Sequence, residues 1–390
     1  MKPFEIFIPL TPGLEPYTLY ELKELNITVK SSDKSGITVI GHWNTLIKIN
    51  LYLKTISRVY IRIADFKAKT FAEFSAKLNA VDFYPYLYSK DQKKSVVLKV
   101  NSFQSALFHE SALENLIYKI ISHKYENIRI TKDCGNNASA KDSCYLEEKE
   151  TEQLFLINIV KDKVQISADS SGDLLYKRGY QQFRSEAPLR ESIASAMYLA
   201  CTERDFSCII DPFCGSGTIP IEIMINRAHF VNHKHRQFTF MNWLAFDKMY
   251  YEKTLHELDK MIIQKLAYDN LDIRKITCYA SDIDRKCIQA VLHNYQLSGM
   301  QDDLHTLVAD FLDIDFNKYP KQSLIITNPP WGKRIKSEQL KRIYQKLESL
   351  AKTFSVYCLL PNANLSYFKK KKVLFKTRSG SIDVSYIKIC

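Results

Sequence analysis

No Cys-x-x-Cys pair occurs in the 390 residues, although nine cysteines are present. An odd number of thiols without paired spacing argues against a disulfide framework and a structural zinc site, and predicts reduced thiols in a cytoplasmic protein. No apolar run approaches the ~18 residues of a membrane-spanning helix. The opening Met1-Lys2-Pro3-Phe4-Glu5 carries an early acid and no small-residue cleavage site, so no secretory signal is expected. Repeats and low-complexity tracts are missing too, apart from Lys369-Lys370-Lys371-Lys372. What is present is ordinary for a soluble globular chain: 46% hydrophobic and 25% charged residues, with length enough for two or three domains.

Acids are scarce at one end. Residues 316–390 hold 16 Lys or Arg against 3 Asp or Glu, while the whole chain carries +12. A basic end of this size predicts a polyanionic partner, nucleic acid before any other, because phosphate contacts supply most non-specific affinity.

Periodicity divides the chain into four parts. Residues 1–63 read as a small α+β domain: a strand at Phe4–Pro9, a turn at Pro12-Gly13, a helix through Leu19, Leu22 and Leu25, strands at Ile37–Ile40 and Val59–Ile63, and a helix near Thr45–Leu53. Residues 64–168 form a second unit. It has a strand at Ser95–Val100, a helix capped by Ser102 or Ser105 through Ile121, a polar loop at Asp133–Asp142 and a hairpin at 154–168. Residues 169–188 are a turn-rich joint, and Pro188 suits a helix start. From 189 to 390 strands and helices alternate, the signature of a parallel α/β sheet. Its strands are expected at Cys208–Asp211, Ile276–Ala280, His305–Ala309, Leu324–Asn328 and Val356–Leu360, with Ile382–Ile389 as a final edge strand.

Two motifs carry chemistry. Ile209-Ile210-Asp211-Pro212-Phe213-Cys214-Gly215-Ser216-Gly217-Thr218 reads as buried strand, carboxylate, glycine turn and helix start. It lacks the Lys-Ser/Thr ending of a phosphate-cradling loop, so Asp211 suggests a ligand bearing a cation or hydroxyls. Acids recur at the ends of the next strands, Asp282 and Asp310. Asp282 lies 71 residues beyond Asp211, which requires an insertion between Asn226 and Lys275. The insertion's His229, His233 and His235 lack a strong fourth ligand, and Lys234 and Arg236 would repel a cation, so no metal is expected.

The second motif is Asn328-Pro329-Pro330-Trp331-Gly332, directly after an apolar strand. Paired prolines hold the backbone extended. An Asn oxygen and a proline carbonyl can both accept from one exocyclic amino group, and Trp331 offers a flat surface to a base. Chemistry on a paired base would require that base to be flipped out first.

These motifs, with Ser281-Asp282-Ile283-Asp284 and Ala309-Asp310-Phe311, resemble those of S-adenosylmethionine-dependent amino-methyltransferases. The stretch from Asp169 to Tyr180 and Ala187-Pro188-Leu189-Arg190-Glu191 resemble the joint and entry helix of THUMP-containing RNA guanine-N2 methyltransferases, above all the bacterial 23S rRNA enzymes. Asn242-Trp243 also resembles a family position. The resemblance implies a Rossmann-like methyltransferase domain behind ferredoxin-like and THUMP domains, with S-adenosylmethionine as cofactor and RNA as partner, rRNA first and tRNA second. It assigns Asp211, Pro212, Cys214, Gly215, Gly217, Thr218, Asp282, Ile283, Asp310, Phe311 and Asn328 to the cofactor, and Asn328, Pro329, Pro330 and Trp331 to catalysis. Within these, Asp282 would take the ribose, Asp310 and Phe311 would flank the adenine, and Cys214 would pack rather than react. Trp331 departs from the family's usual Tyr, which keeps stacking and loses a hydroxyl. The alternatives are an adenine-N6 enzyme, which uses the same tetrapeptide pattern, and a non-catalytic RNA-binding assembly factor. Protein-glutamine methylation is disfavoured by the basic end.

Overall fold

A computed structural model describes residues 2–87, 94–125, 128–132, 152–183, 189–201, 206–231, 236–268, 276–300, 303–332 and 335–390. The expected loop at Asp133–Asp142, Pro188, His233 and His235 lie outside these residues.

The first half contains β1 (Phe4–Pro9), α1 (Glu15–Glu24), β2 (Val29–Asp33), β3 (Gly36–Gly41), α2 (Trp43–Tyr52), β4 (Tyr60–Lys67), α3 (Phe71–Asn79), α4 (Tyr84–Leu87), β5 (Lys94–Phe103), α5 (Glu110–Lys124), β6 (Ile128–Lys132), β7 (Glu152–Val160) and β8 (Lys163–Asp169). All eight strands join one sheet, in the order β2-β3-β1-β4-β8-β7-β5-β6. The boundary expected at residue 63 falls inside β4, which pairs with β1 on one side and β8 on the other. One core, from Ile6 and Leu46 to Leu113 and Phe155, runs under the whole sheet. The two expected units are thus laterally fused. Neither Ser102 nor Ser105 caps α5, which starts at Glu110 without a side-chain cap. Both hydroxyls instead donate within the preceding loop, to the carbonyls of Leu107 and Phe103.

The second half contains α6 (Glu191–Ala200), β9 (Cys208–Asp211), α7 (Thr218–Arg227), α8 (Lys248–Tyr268), β10 (Thr277–Asp282), α9 (Arg285–Ser298), β11 (Asp303–Val308), β12 (Ser323–Thr327), α10 (Ser337–Leu350), β13 (Ser355–Pro361), β14 (Lys371–Ser379) and β15 (Ile382–Ile389). The sheet order is β11-β10-β9-β12-β13-β15-β14. Its first five strands are parallel. The central β9, β12 and β13 are almost wholly buried and mostly apolar, as strands covered on both faces must be, whereas the edge strand β11 is largely exposed. One face packs against α6 and α7, the other against α10 through Leu340, Ile343, Tyr344 and Leu347, a helical i, i+3, i+4, i+7 stripe. The expected edge strand β15 is interior. It pairs with β13 and β14, and β14, opened by the lysine run, takes the edge.

The 71-residue gap resolves into α7 and an insertion that leaves this domain. Phe238, Phe240, Trp243, Tyr251 and Leu258 belong to the first half's core. Trp243 packs edge-on against Trp43 and Tyr86, and its Nε1–H donates to Gln153 Oε1 at 2.6 Å.

The joint is anchored by buried residues, among them Asp169, Ser170, Ser171, Arg178 and Tyr180. Asp169 pairs with Arg58, and the Ser170 and Ser171 hydroxyls bond Val59 O and Asn50 Oδ1. Arg178 Nε donates to Glu222 Oε1 at 2.8 Å, with both side chains fully excluded from solvent. The remaining valences close around them: Arg178 Nη2 donates to Lys54 O and Ser195 Oγ, while the Tyr180 and Ser195 hydroxyls donate to Glu222. Both halves and the joint therefore share one polar knot. At the opposite side, a Cβ on Gly13 (φ +83°) would collide with the Lys376 carbonyl of β14. Among the described residues no helix is long and apolar enough to cross a membrane.

Removing one member of a buried pair strands the other's charge. Arg178→Met is expected to cost about 3–5 kcal/mol in urea unfolding, and Arg178→Met combined with Glu222→Leu to recover much of it. A single variant as stable as wild type would show that the pair does not support the fold.

Candidate active site

Four neighbouring strands, β11, β10, β9 and β12, end at the same edge of the second sheet. Asp211 closes β9 and Asp282 closes β10, Asp310 follows β11 by two residues, and Asn328 follows β12 directly. The chain leaves β9 towards β10 on one side, while β12 lies on its other side. This is the switch point where open α/β sheets leave a crevice.

Hydrogen bonds stitch these ends together. Cys214 N–H donates to Ser281 O at 3.0 Å, Gly215 N–H to Asp282 Oδ2 at 3.0 Å, and Ala309 N–H to Asp282 O at 3.0 Å. Thr327 Oγ1 donates to Asp211 Oδ1 at 2.7 Å, which joins the two motifs. Gly215 (φ +52°) and Gly217 (φ +86°) adopt the left-handed conformation that spares them a Cβ penalty, and Gly217 is the N-cap of α7. Asn294 Nδ2 holds the loop from α9 by donating to Ser216 O at 3.0 Å and to Phe183 O at 2.8 Å. Gln181 of the joint donates to Thr218 Oγ1 at 2.6 Å. Asp284 caps α9, and Gly299 ends it at φ +72°, both as expected.

Asp211 is 1% exposed. Burial pushes its carboxyl up to about 7 and the Asp282 charge adds to this, against hydrogen bonds from Thr327 and the Phe213 N–H. Its Oδ2 has no hydrogen-bond partner among the described residues. An orphaned buried carboxylate oxygen fits a ligand that brings a cation or a hydroxyl. Asp282 is half-buried, and Ile283 stands 66% exposed beside it, an apolar surface for a flat ligand. Pro212 is buried, and burial raises the Cys214 thiol well above its ordinary value, which suits packing and not nucleophilic attack.

Asp310 Oδ1 caps the short turn that follows it by accepting from Leu312 N–H. Phe311 does not face the crevice. It is 2% exposed, with its ring 4.8 Å from Phe213 and 5.7 Å from Phe316. The half-buried Phe213 is the outer ring of this stack. Lys346 of α10 fastens the turn by donating to the carbonyls of Phe311, Leu312 and Ile314, each at 2.9 Å.

Asn328-Pro329-Pro330-Trp331 is held from three sides. Trp331 Nε1–H donates to Asn328 Oδ1 at 3.0 Å, which orients the amide. Tyr344 OH of α10 donates to Pro330 O at 2.9 Å. Asn364, in the short helix Asn362–Tyr367 after β13, donates Nδ2–H to Trp331 O at 3.2 Å and to Tyr344 OH at 2.9 Å. Gly332 (φ +93°) completes the turn in a left-handed conformation that favours glycine, and a Cβ there would come within 2.9 Å of Leu340 Cδ2. Neither Tyr344, Lys346 nor Asn364 carries a sequence signal, since each supports the site from another element. Thr327 could have been singled out as the residue before Asn328. His229 Nδ1 bonds Tyr52 OH at 2.9 Å. Among the described residues, no cluster of three His, Cys, Asp or Glu could hold a metal.

Comparison with known proteins falls along the same lines. The model of the RMKL-like methyltransferase domain matches residues 178–372, and that of the RlmL ferredoxin-like domain matches residues 5–60. YpsC of Bacillus subtilis (strain 168), provisionally named as an RNA methyltransferase, is 28% identical over 392 residues, 99% of this chain and 96% of that one. The tRNA (guanine(6)-N2)-methyltransferase of Methanocaldococcus jannaschii is 26% identical over 89% of this chain and 87% of its own length. The ribosomal RNA large subunit methyltransferase K/L of Syntrophotalea carbinolica is 25% identical over 90% of this chain, which spans 48% of that protein. In fold, the chain superposes on the crystal structure of SMU.472 complexed with SAH with a TM-score of 0.78 at 24% identity, covering 100% and 98% of the two chains.

Asp211 yields a pH signature. Its folded value of about 7 exceeds the ordinary 3.8, so between them the ligand-free folded protein holds the extra proton. Stability is therefore expected to fall as pH rises from about 4 to about 7, by on the order of 4 kcal/mol from this group. Asp211→Asn should flatten that slope in urea unfolding; the same slope in both proteins would rule out an elevated Asp211.

Proposed function

Since the chain belongs to the RMKL-like methyltransferase family, we propose that it transfers a methyl group from S-adenosylmethionine to the exocyclic N2 amine of a guanosine in RNA, with 23S ribosomal RNA as substrate. The observation that carries this reading is the Thr327–Asp211 bond, which locks the carboxylate-glycine motif and the Asn-Pro-Pro-Trp motif into one crevice.

In this reading Asp211, Pro212, Cys214, Gly215, Gly217 and Thr218 form the cradle for the methionine end, with the unpartnered Asp211 Oδ2 facing its positive charge. Asp282 accepts from the ribose hydroxyls. Ile283, Asp310 and the Phe213 ring backed by Phe311 bound the adenine. S-adenosylmethionine, when bound, supplies an electrophilic methyl group. Asn328 Oδ1 and the Pro329 carbonyl accept from the two N–H groups of the target amine, which turns its lone pair towards the cofactor side of the crevice. Trp331 holds Asn328 Oδ1 in place through its indole N–H and stacks on the base. Positioning contributes most of the acceleration, so neither a metal nor a covalent nucleophile is required.

Residues 64–168 serve in this reading as a THUMP domain that grips folded RNA, residues 1–63 as the ferredoxin-like piece beside it, and 169–188 as the joint to the methyltransferase domain at 189–390. Buried thiols outside any disulfide, such as Cys208 and Cys358, suit a reducing, cytoplasmic setting. The ferredoxin-like match and the K/L relative favour ribosomal RNA; the tRNA relative, matched over most of its length, makes tRNA the second substrate to test.

Asn328→Ala is expected to lower kcat at least about 100-fold on RNA from cells lacking the protein, with cofactor affinity by calorimetry nearly intact. Undiminished transfer would remove the motif from the mechanism. Nucleoside analysis should return N2-methylguanosine; N6-methyladenosine would reassign the base.

A further inference from the structure

The short helix Asn362–Tyr367 links the Asn-Pro-Pro-Trp turn to the basic end of the chain. Its Asn364 holds Trp331 O and Tyr344 OH, so the helix lies directly against the motif. Its last residue, Tyr367, places its ring edge-on to Tyr344, 5.1 Å between centroids, and stays 40% exposed. Phe368 is buried as an anchor. Lys369, Lys370, Lys372 and Lys376 then follow along the sheet edge, all exposed.

These four cations are not used inside the protein. Lys371 donates to Phe368 O, Arg378 pairs with Asp383 at 2.9 Å, and Lys346 is spent on three carbonyls. Among the described residues the ammonium groups of Lys369, Lys370, Lys372 and Lys376 have no carboxylate partner, although the Lys369 backbone N–H donates to Glu348 Oε1 at 3.2 Å. The inner face of β14 is covered, with Phe375 packed against Tyr17 at 5.5 Å. Its lysines are thus left towards solvent. Edge-strand lysines also prevent strand-to-strand association, but that role requires neither an exposed aromatic nor continuity with a catalytic motif.

An aromatic platform followed by unpaired cations is the construction that binds single-stranded nucleic acid. A base presented to Asn328 must be splayed out, so its neighbours need a surface that holds the strand open. We infer that Tyr367 and Lys369, Lys370, Lys372 and Lys376 form the track for the RNA strand flanking the target nucleotide, with Tyr367 stacking on a neighbouring base and the lysines meeting phosphates. This rests on the RNA methyltransferase reading and adds a substrate surface outside the crevice.

The test uses the full chain and large-subunit RNA from cells lacking the protein. Binding is titrated between about 50 and 200 mM KCl, alongside methyl transfer. With all four lysines changed to Gln, the slope of log K against log salt should fall by about 3, since each lost phosphate contact removes ~0.7–0.9. KM for RNA should rise, with S-adenosylmethionine affinity unchanged. Tyr367→Ala should weaken RNA binding about 10-fold with little change of slope, and Tyr367→Phe should restore it. A wild-type enzyme that methylates the RNA while the Gln variant keeps the same slope and KM would overturn the track and leave the methyltransferase reading intact. A wild type that binds S-adenosylmethionine but methylates neither this RNA nor tRNA would overturn both.

Discussion

The buried contact between Arg178 and Glu222 is the constraint on which the rest of the arrangement depends. Two opposite charges fully removed from water are tolerable only when every remaining valence is met. Here Lys54 O, Ser195 Oγ and the Tyr180 hydroxyl meet them. Those partners come from the first half, from α6 and from the joint. The knot therefore closes only when all three are docked, which turns a chemically demanding pair into a specification of domain geometry.

The insertion serves the same end by apolar means. Its Phe238, Phe240 and Trp243 leave the methyltransferase sheet and complete the core of the fused eight-stranded sheet. Gly13 against Lys376 and Tyr17 against Phe375 close the other side at β14. Two halves held at three places can act as a single body, with the distance from the first sheet to the crevice set by packing and not by a linker.

Within the crevice, support comes from behind. Asn328 is oriented by Trp331, Trp331 O by Asn364, Pro330 O by Tyr344, and the Asp310 turn by Lys346. Residues that would meet ligands are thus fixed by residues that do not, which is how a site holds its geometry before substrate arrives.

The sequence by itself determined the parts whose signal is local. Strand periodicity, the glycine turn at Gly215 and Gly217, the cap at Asp284, the stop at Gly299 and the rigid prolines after β12 all follow from backbone sterics and neighbouring residues. The order Asp211, Asp282, Asp310, Asn328 also predicted one strand-end site, because parallel strands bring their carboxyl ends to one edge. Tertiary structure alone decided what depends on residues far apart in the chain. It extended β4 through the expected boundary, moved β15 inside β14, sent the insertion to the other core and turned Phe311 inward. It also recruited Tyr344, Lys346 and Asn364. The physical reason is the same in each case: lateral strand pairing and the satisfaction of buried polar groups are chosen among partners that sequence spacing does not identify.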